Sequence, residues 1–308
     1  MKKTREELLT KNIVVCAIAF ICCALWGSAF PSIKIGYRLF NIGSNDTATQ
    51  ILFAGMRFTI AGAMAVLIFS VAERKILLPK RESLTNIVKL SMFQTVGQYI
   101  FFYVGLAHTT GVKASIIEAI NVFCVIFISC IIFRVEKLTF YKLTGSVIGF
   151  LGVVLVNLAG NTTGLELNLI GDGGIFMSAV MYGFSSVYIK KYSKNENPIV
   201  LSAYQFLFGG IILMIIGFIF GGRITEFSLS ALLMLMYLAF ISAFAYSLWS
   251  VLLKYNEASK VAVYGFVNPI CGVVLSALLL GEKDSVNIYC LIALIMVSIG
   301  IYLANKKE

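Results

Sequence analysis

Leu106–Asn121 reads LAHTTGVKASIIEAIN, and Leu253–Asn268 reads LKYNEASKVAVYGFVN. A shift of 147 residues sets Leu106 on Leu253, Lys113 on Lys260 and Asn121 on Asn268. Nearly the same shift sets Arg57-Phe58 (RFTIAG) on Gln205-Phe206 (QFLFGG). A slightly larger one sets Trp26-Gly27 on Tyr182-Gly183, with Lys34 on Lys190. The identities are sparse, but they run in the same order through both halves. Five membrane spans in each copy would force the copies to face opposite ways, because an odd number of crossings reverses the chain. Inverted repeats are a structural signature of transporters.

The composition places the chain in lipid. Of its 308 residues, 59% are hydrophobic and 13% charged, with a mean hydropathy of +0.91. A soluble domain is roughly half apolar and about a quarter charged. The formal charge of +10 does not point to nucleic acid, because the basic residues sit in short clusters between apolar segments, as membrane topology demands. All seven cysteines (16, 22, 23, 124, 130, 271 and 290) lie inside apolar segments and read as free thiols packed as small hydrophobes. The basic stretch 1–11 and the apolar run behind it resemble a signal peptide. The run is span-length, however, and no A-x-A site closes it, so it is expected to remain as a first span.

About 20 mostly apolar residues are needed to cross about 30 Å of hydrocarbon. Ten segments qualify: 13–33, 50–72, 87–107, 112–133, 140–158, 170–189, 199–219, 229–253, 261–280 and 286–304. They must be helices, since lipid offers backbone groups no water. The expected fold is therefore an all-α integral membrane protein of ten transmembrane helices, arranged as two inverted five-helix repeats, 1–160 and 161–308. The N-terminus, the loops after even spans and the C-terminus hold 19 of the 25 Lys and Arg. Positive-inside bias puts both termini in the cytoplasm.

A charge inside a span costs at least ~2.5–3.5 kcal/mol on insertion scales, so it faces a partner or a cavity. Arg57 in span 2 and Glu118 in span 4 stand out. Both spans start on the outer side, and both residues lie on the order of 10 Å below that end at ~1.5 Å per residue. Equal depth makes them candidates for an ion pair. Asn121 shares the face of Glu118 three residues on, and Asn268 is its repeat partner. Span 3 carries Gln94, Gln98, Phe101, Gly105 and His108 at helical spacing, and span 8 answers with Ser242, Tyr246 and Trp249. Rings with a few polar groups are what a small-molecule pocket needs. The same residues also serve as interhelical ties or interfacial anchors, and His108 reads as a surface or capping residue. Gly145-x3-Gly149, Gly55, Gly62 and Gly209-Gly210 read as close helix contacts. Pro31 and Pro269 are places where spans 1 and 9 can weaken. P-loop, nucleophile-elbow and HExxH motifs are absent.

The chain resembles the EamA-like, ten-span members of the drug/metabolite transporter superfamily. The resemblance is carried by Ala24–Phe30 (ALWGSAF), Arg57-Phe58, Lys113-Ala114-Ser115, Asn268-Pro269 and Leu280-Gly281-Glu282, which Val135-Glu136 echoes in the first half. It implies a basket of helices around a central cavity lined by spans 1, 3, 4, 6, 8 and 9, and alternating access without ATP. Two departures are specific to this sequence. Asn121-Val122 stands where the second half has Asn268-Pro269, and Glu118 puts a carboxylate where none is expected.

The functional expectation is secondary transport of a small polar metabolite, such as an amino acid or related amine, and not an enzyme. The expected substrate-binding residues are Glu118, Arg57, Asn121, Trp26, Gln98, Tyr99, Phe102, Tyr182, Trp249, Tyr264 and Asn268. Glu118 would bind a cationic group or exchange a proton, with Arg57 holding it ionised. The expected partners are a small-molecule substrate, protons as coupling ion and membrane lipid, with no cofactor, no metal and no nucleic acid. A flippase for a lipid-linked sugar is the alternative, and an integral-membrane enzyme is a more distant one.

Overall fold

The apolar runs fold as helices, and capping side chains set where several of them begin. A computed structural model describes residues 2–43, 45–109, 114, 117–158, 168–280 and 288–306. Among the described residues there is no strand. Helices α1 (Lys2–Leu9), α2 (Asn12–Leu39) and α3 (Thr47–Glu73) open the chain. The next run starts as α4 (Leu84–Ser91), widens through a π-helical turn at Met92–Gly97 and continues as α5 (Gln98–Ala107). Helix α6 (Asn121–Phe127) leads into a second π-helical turn at Ile128–Ile132, and α7 (Phe140–Leu158) follows. The remaining helices are α8 (Leu169–Tyr192), α9 (Pro198–Ile219), α10 (Leu229–Tyr255), α11 (Ala258–Val263), α12 (Val267–Leu280) and α13 (Ile288–Ala304). Side chains of Asp46, Asn168, Asn197 and Ser228 accept first-turn N–H groups of α3, α8, α9 and α10. Each satisfies a donor the helix leaves orphaned.

Helices α2, α3, α9 and α10 are long and apolar enough to cross a membrane. Helix α8 is 24 residues long and unbroken but is not among them, and the other expected spans are shorter or interrupted. The two interruptions in the expected spans 4 and 9 fall in related places. Residues Ala119 and Ile120 form a turn just before α6, with Ile120 N bonded to Ile117 O in the tight i→i−3 pattern. A 3₁₀ turn at Tyr264–Phe266 separates α11 from α12. Asn121 and Asn268 therefore each sit in the first turn of a restarted helix. Pro269 lies in that first turn, where its missing N–H costs little. Pro31, by contrast, is carried inside an unbroken α2.

Small residues set which helices touch. Helix α3 packs along α9, and α7 along α13. A Cβ on Gly55 would lie 2.5 Å from the backbone N of Met214, and one on Gly210 2.5 Å from that of Thr59. On Gly145 it would meet the Gly300 carbonyl at 2.5 Å. Only glycine permits such backbone approach, the usual basis of association between apolar helices in lipid. Helix α5 packs on α8, α6 on α8, and α2 on both α10 and α12. Two buried thiols tie α2 to its neighbours: Cys22 donates to Ala245 O and Cys23 to Tyr264 O.

One end of the bundle is knitted by charge. The Glu136 side chain, 2% exposed, accepts from the N–H groups of Ala258 and Ser259 and from the Ser259 hydroxyl. It pairs with Lys142 at 3.9 Å and Lys190 at 3.7 Å. Lys142 also meets Glu257 at 2.5 Å, and Glu257 meets Lys260 at 3.2 Å. Burial alone would push the Glu257 carboxyl up; the two lysines hold it below its ordinary range. Asn256 donates to Leu9 O, which places the N-terminal helix at this same end. The network joins 136–142 of the first half to 190 and 256–260 of the second.

Candidate functional site

Arg57 sits on the face of α3 that meets α10 and is 4% exposed. Its Nε donates to Ser242 Oγ at 3.1 Å and to Leu238 O at 3.3 Å, and its Nη2 donates to Ser242 Oγ at 2.9 Å. All of these acceptors are neutral. The expected ion pair with Glu118 does not form: among the described residues no carboxylate lies within 4.0 Å of Arg57. Equal depth fixes only the coordinate along the bundle axis. The direction around each helix sends Arg57 toward α10 and Glu118 toward α8.

Tyrosines surround the guanidinium. Tyr37, Tyr99, Tyr103 and Tyr246 all lie within its electrostatic reach. The hydroxyls of Tyr99 and Tyr246 are 2.9 Å apart. The Phe58 ring stacks on Phe206 at 5.0 Å and meets Tyr99 at 4.4 Å. Trp26 of α2 packs edge-on against Tyr246 at 4.9 Å and Trp249 at 5.0 Å. Offset and edge contacts of this kind hold large rings in fixed positions. Phe102, 5.7 Å from Tyr103, continues the wall.

Glu118 lies across this aromatic group from Arg57. Asn121 and Ser178 flank its carboxyl group, and Tyr182, Tyr246 and Cys124 are within its electrostatic reach. Tyr182 in turn faces Trp249 and Ser186. Tyr246 thus senses both the cation and the acid.

Among the described residues, Trp26 Nε1, Gln98 Oε1, Glu118 Oε2 and Asn268 Oδ1 are buried with no hydrogen-bond partner. Buried polar atoms are almost always bonded, and each exception needs a cause. These four atoms come from the expected spans 1, 3, 4 and 9, and the residues Trp26 and Glu118 both lie beside Tyr246.

The structure thus brings together Arg57, Trp26, Tyr99, Phe102, Tyr182, Trp249 and Glu118 from the expected set. Asn121 adjoins Glu118, and Gln98 directly precedes Tyr99. Tyr264 packs in the same buried cluster as Trp249, with Trp26 and Tyr182 against it; its carbonyl takes the Cys23 thiol, and its electrostatic neighbour is Cys16. Gly105 belongs to the α5–α8 contact, where a Cβ would lie 2.7 Å from Ile175 N. His108 is exposed and bonded to Val104 O, as a capping residue should be. Lys113, Ser115, Gly281, Glu282 and the side chain of Phe30 lie outside the described residues.

Sequence reasoning missed three groups. Asp172, 8% exposed, accepts from the Thr109 hydroxyl at 2.6 Å and from Asn168 N. Glu136 and Lys142 form the buried network described above. Tyr37 and Tyr103 complete the ring around Arg57. The first two could have been found by treating every charge near a span end as a candidate tie. The tyrosines carry no local signal, because a phenol in an apolar run reads as an anchor.

Residues 13–158 and 169–305 match the EamA-like transporter family. The "Uncharacterized transporter YvbV" of Bacillus subtilis (strain 168) is 28% identical to the chain, over 100% of the chain and 94% of its own length. A Salmonella typhimurium protein named "Probable amino-acid metabolite efflux pump" is 24% identical, over 86% of each chain. A solved crystal structure superimposes with a TM-score of 0.77 at 16% identity, covering 96% of this chain and 97% of the other. At that identity the likeness concerns the fold alone.

Proposed function

This chain belongs to the EamA-like transporter family, and on that premise we propose that it is a secondary active transporter of a small polar metabolite, of the amino-acid or related-amine class, working by alternating access. The reading takes the chain as ten spans in two inverted halves, 1–160 and 161–308, with both termini on the cytoplasmic side of the cell membrane. The pairing of contacts at the repeat offset supports this plan. Arg57 holds Ser242, while its counterpart Gln205 holds Thr95, and Thr95 and Ser242 are themselves 147 residues apart. Helix α2 on α10 and α12 answers α8 on α5 and α6.

The observation that carries the substrate reading is that Trp26 Nε1 and Glu118 Oε2, buried without a hydrogen-bond partner among the described residues, belong to residues set beside Tyr182, Tyr246 and Trp249. Apolar walls with a few fixed polar groups suit a small, partly polar molecule. The name of the Salmonella relative favours the amino-acid class. Glu118 is the group that takes the ammonium of such a substrate or exchanges a proton for it, protons being the coupling ion in the second case. A flippase for a lipid-linked sugar has less support. The lateral groove between α6 and α8, about 330 Å³ and lined by Phe123, Phe127, Phe176, Phe184 and aliphatic neighbours, offers a sugar almost no hydrogen-bonding group.

The test is flux of labelled amino acids and amines into liposomes carrying the purified protein, with and without an imposed pH gradient. Saturable flux that Trp249→Ala abolishes supports the reading. Folded protein that moves none of the panel overturns it. Flux and pH dependence unchanged in Glu118→Gln would remove the role of Glu118 and leave the transporter standing.

A further inference from the structure

We propose that Arg57, with the tyrosine hydroxyls around it, forms an anion subsite that receives the carboxylate of the transported molecule. The inference deepens the transporter reading above and depends on it for the word "transported". The subsite itself stands on three observations.

The first is charge. Arginine stays protonated at any working pH, and a buried charge is costly unless paired and hydrogen-bonded. Arg57 is 4% exposed, yet its partners are one hydroxyl, one carbonyl and the Phe58 ring at 5.1 Å. Neutral acceptors offset only part of that cost.

The second is unused donor capacity. A guanidinium has five N–H groups in a planar fork. Ser242 and Leu238 engage Nε and Nη2, and Nη1 donates to nothing among the described residues. The Tyr37 hydroxyl, buried nearby, pairs with that of Tyr103. A planar two-oxygen anion matches the open edge of such a fork.

The third is the other half of the molecule. Gln205, the counterpart of Arg57, accepts from Thr95 at 2.5 Å and is fully buried. An uncharged side chain therefore makes the equivalent tie between the equivalent helices. Joining the helices does not call for a positive charge at this place. Glu118, beyond Tyr246, places a carboxyl group at the same aromatic enclosure. A guanidinium and a carboxyl group on either side of one ring group suit a molecule that bears both a carboxylate and an ammonium.

The experiment measures the apparent Tm of detergent-purified wild type and Arg57→Gln against acetate, propionate, inorganic phosphate and methylammonium. Ligands that bind the folded state raise it. Arg57→Gln reproduces the neutral residue of the other half, so it is expected to fold. Arg57→Lys, which keeps the charge and loses the fork, is the second variant should it not. Carboxylates are expected to stabilise the wild type saturably, and the variants on the order of tenfold to hundredfold more weakly, from the loss of charge-assisted bonds. Methylammonium should act alike on wild type and variants. Equal carboxylate response in wild type and variants overturns the subsite, as does no response in the wild type. Phosphate acting as strongly as carboxylate overturns the assignment of the anion. Arg57-dependent carboxylate binding in a protein that moves none of the flux panel sinks the transporter reading and leaves the subsite in place.

Discussion

The hydroxyls of Tyr99 and Tyr246 lie 2.9 Å apart, and the two residues are separated by 147 positions. The same offset relates Lys113 to Lys260 and Asn121 to Asn268. Repeat counterparts thus touch at the centre of the molecule, between Arg57 and Glu118. Phe58 and Phe206, counterparts at almost the same offset, stack beside them at 5.0 Å.

The hydroxyl pair should behave as a unit. Tyr99→Phe or Tyr246→Phe alone leaves the other phenol without its partner, at an expected cost of about 1–3 kcal/mol. The double substitution removes both polar groups and should cost less than the sum of the two. A double-mutant cycle on unfolding free energy measures the coupling. Additive losses would show that the two hydroxyls do not depend on each other.

Glu136 should be among the most sensitive positions outside the central site. Its carboxylate is buried against Lys142 and caps the chain at Ala258 and Ser259. Lys142 keeps Glu257 when Glu136 is neutralised, but the charge-assisted bonds to Ala258 and Ser259 are weakened, and hydrogen bonds to a charged group contribute ~1.5–3 kcal/mol each. Glu136→Gln is expected to lower the apparent Tm far more than Glu82→Gln, a change in an exposed loop. Similar shifts for both would contradict the buried network.

Acid should loosen this same end. The Glu257 carboxyl is held below its ordinary value by Lys142 and Lys260 against the effect of burial. A depressed carboxyl contributes stability above its unfolded pKa and loses it as pH falls through the folded one. Between about pH 5 and about pH 2, the wild type should therefore lose more stability than Glu257→Gln. Thermal melts across that range give the comparison, and parallel curves would remove Glu257 from the acid response.

The α3–α9 contact should not tolerate a methyl group. At Gly55 a Cβ would sit 2.5 Å from a backbone nitrogen, so the helices must part. Gly55→Ala is expected to destabilise by about 1–3 kcal/mol. Gly173→Ala, where nothing lies within 4 Å, should be close to neutral. Thermal melts of the two variants check the difference.

Some of the site was legible in the sequence and some was not. Trp26, Tyr99, Tyr182 and Trp249 were readable because large rings and polar groups recurred at helical spacing in apolar runs. Arg57 and Glu118 were readable because charge in lipid is rare. Their pairing was misjudged because depth follows from residue count, whereas facing direction depends on how each helix is rotated by its neighbours. Here Gly55, Gly62 and Gly210 decide that rotation for α3. The interruptions before Asn121 and Asn268 had only Pro269 as a forewarning, and the first of them has no proline at all.

Composition and the order of apolar and basic segments by themselves determined a helical membrane protein, since lipid leaves the backbone no other way to satisfy its hydrogen bonds. The weak repeat was also there to be read, because identity at a fixed offset needs no structure. Only the tertiary structure decided that Arg57 turns to Ser242 and not to Glu118, that Tyr99 meets Tyr246, and that Glu136 closes one end against Ala258 and Ser259. These are relations between residues about 120 to 185 positions apart. Such contacts are set by the close approach of whole helices, and no local window of sequence contains that information.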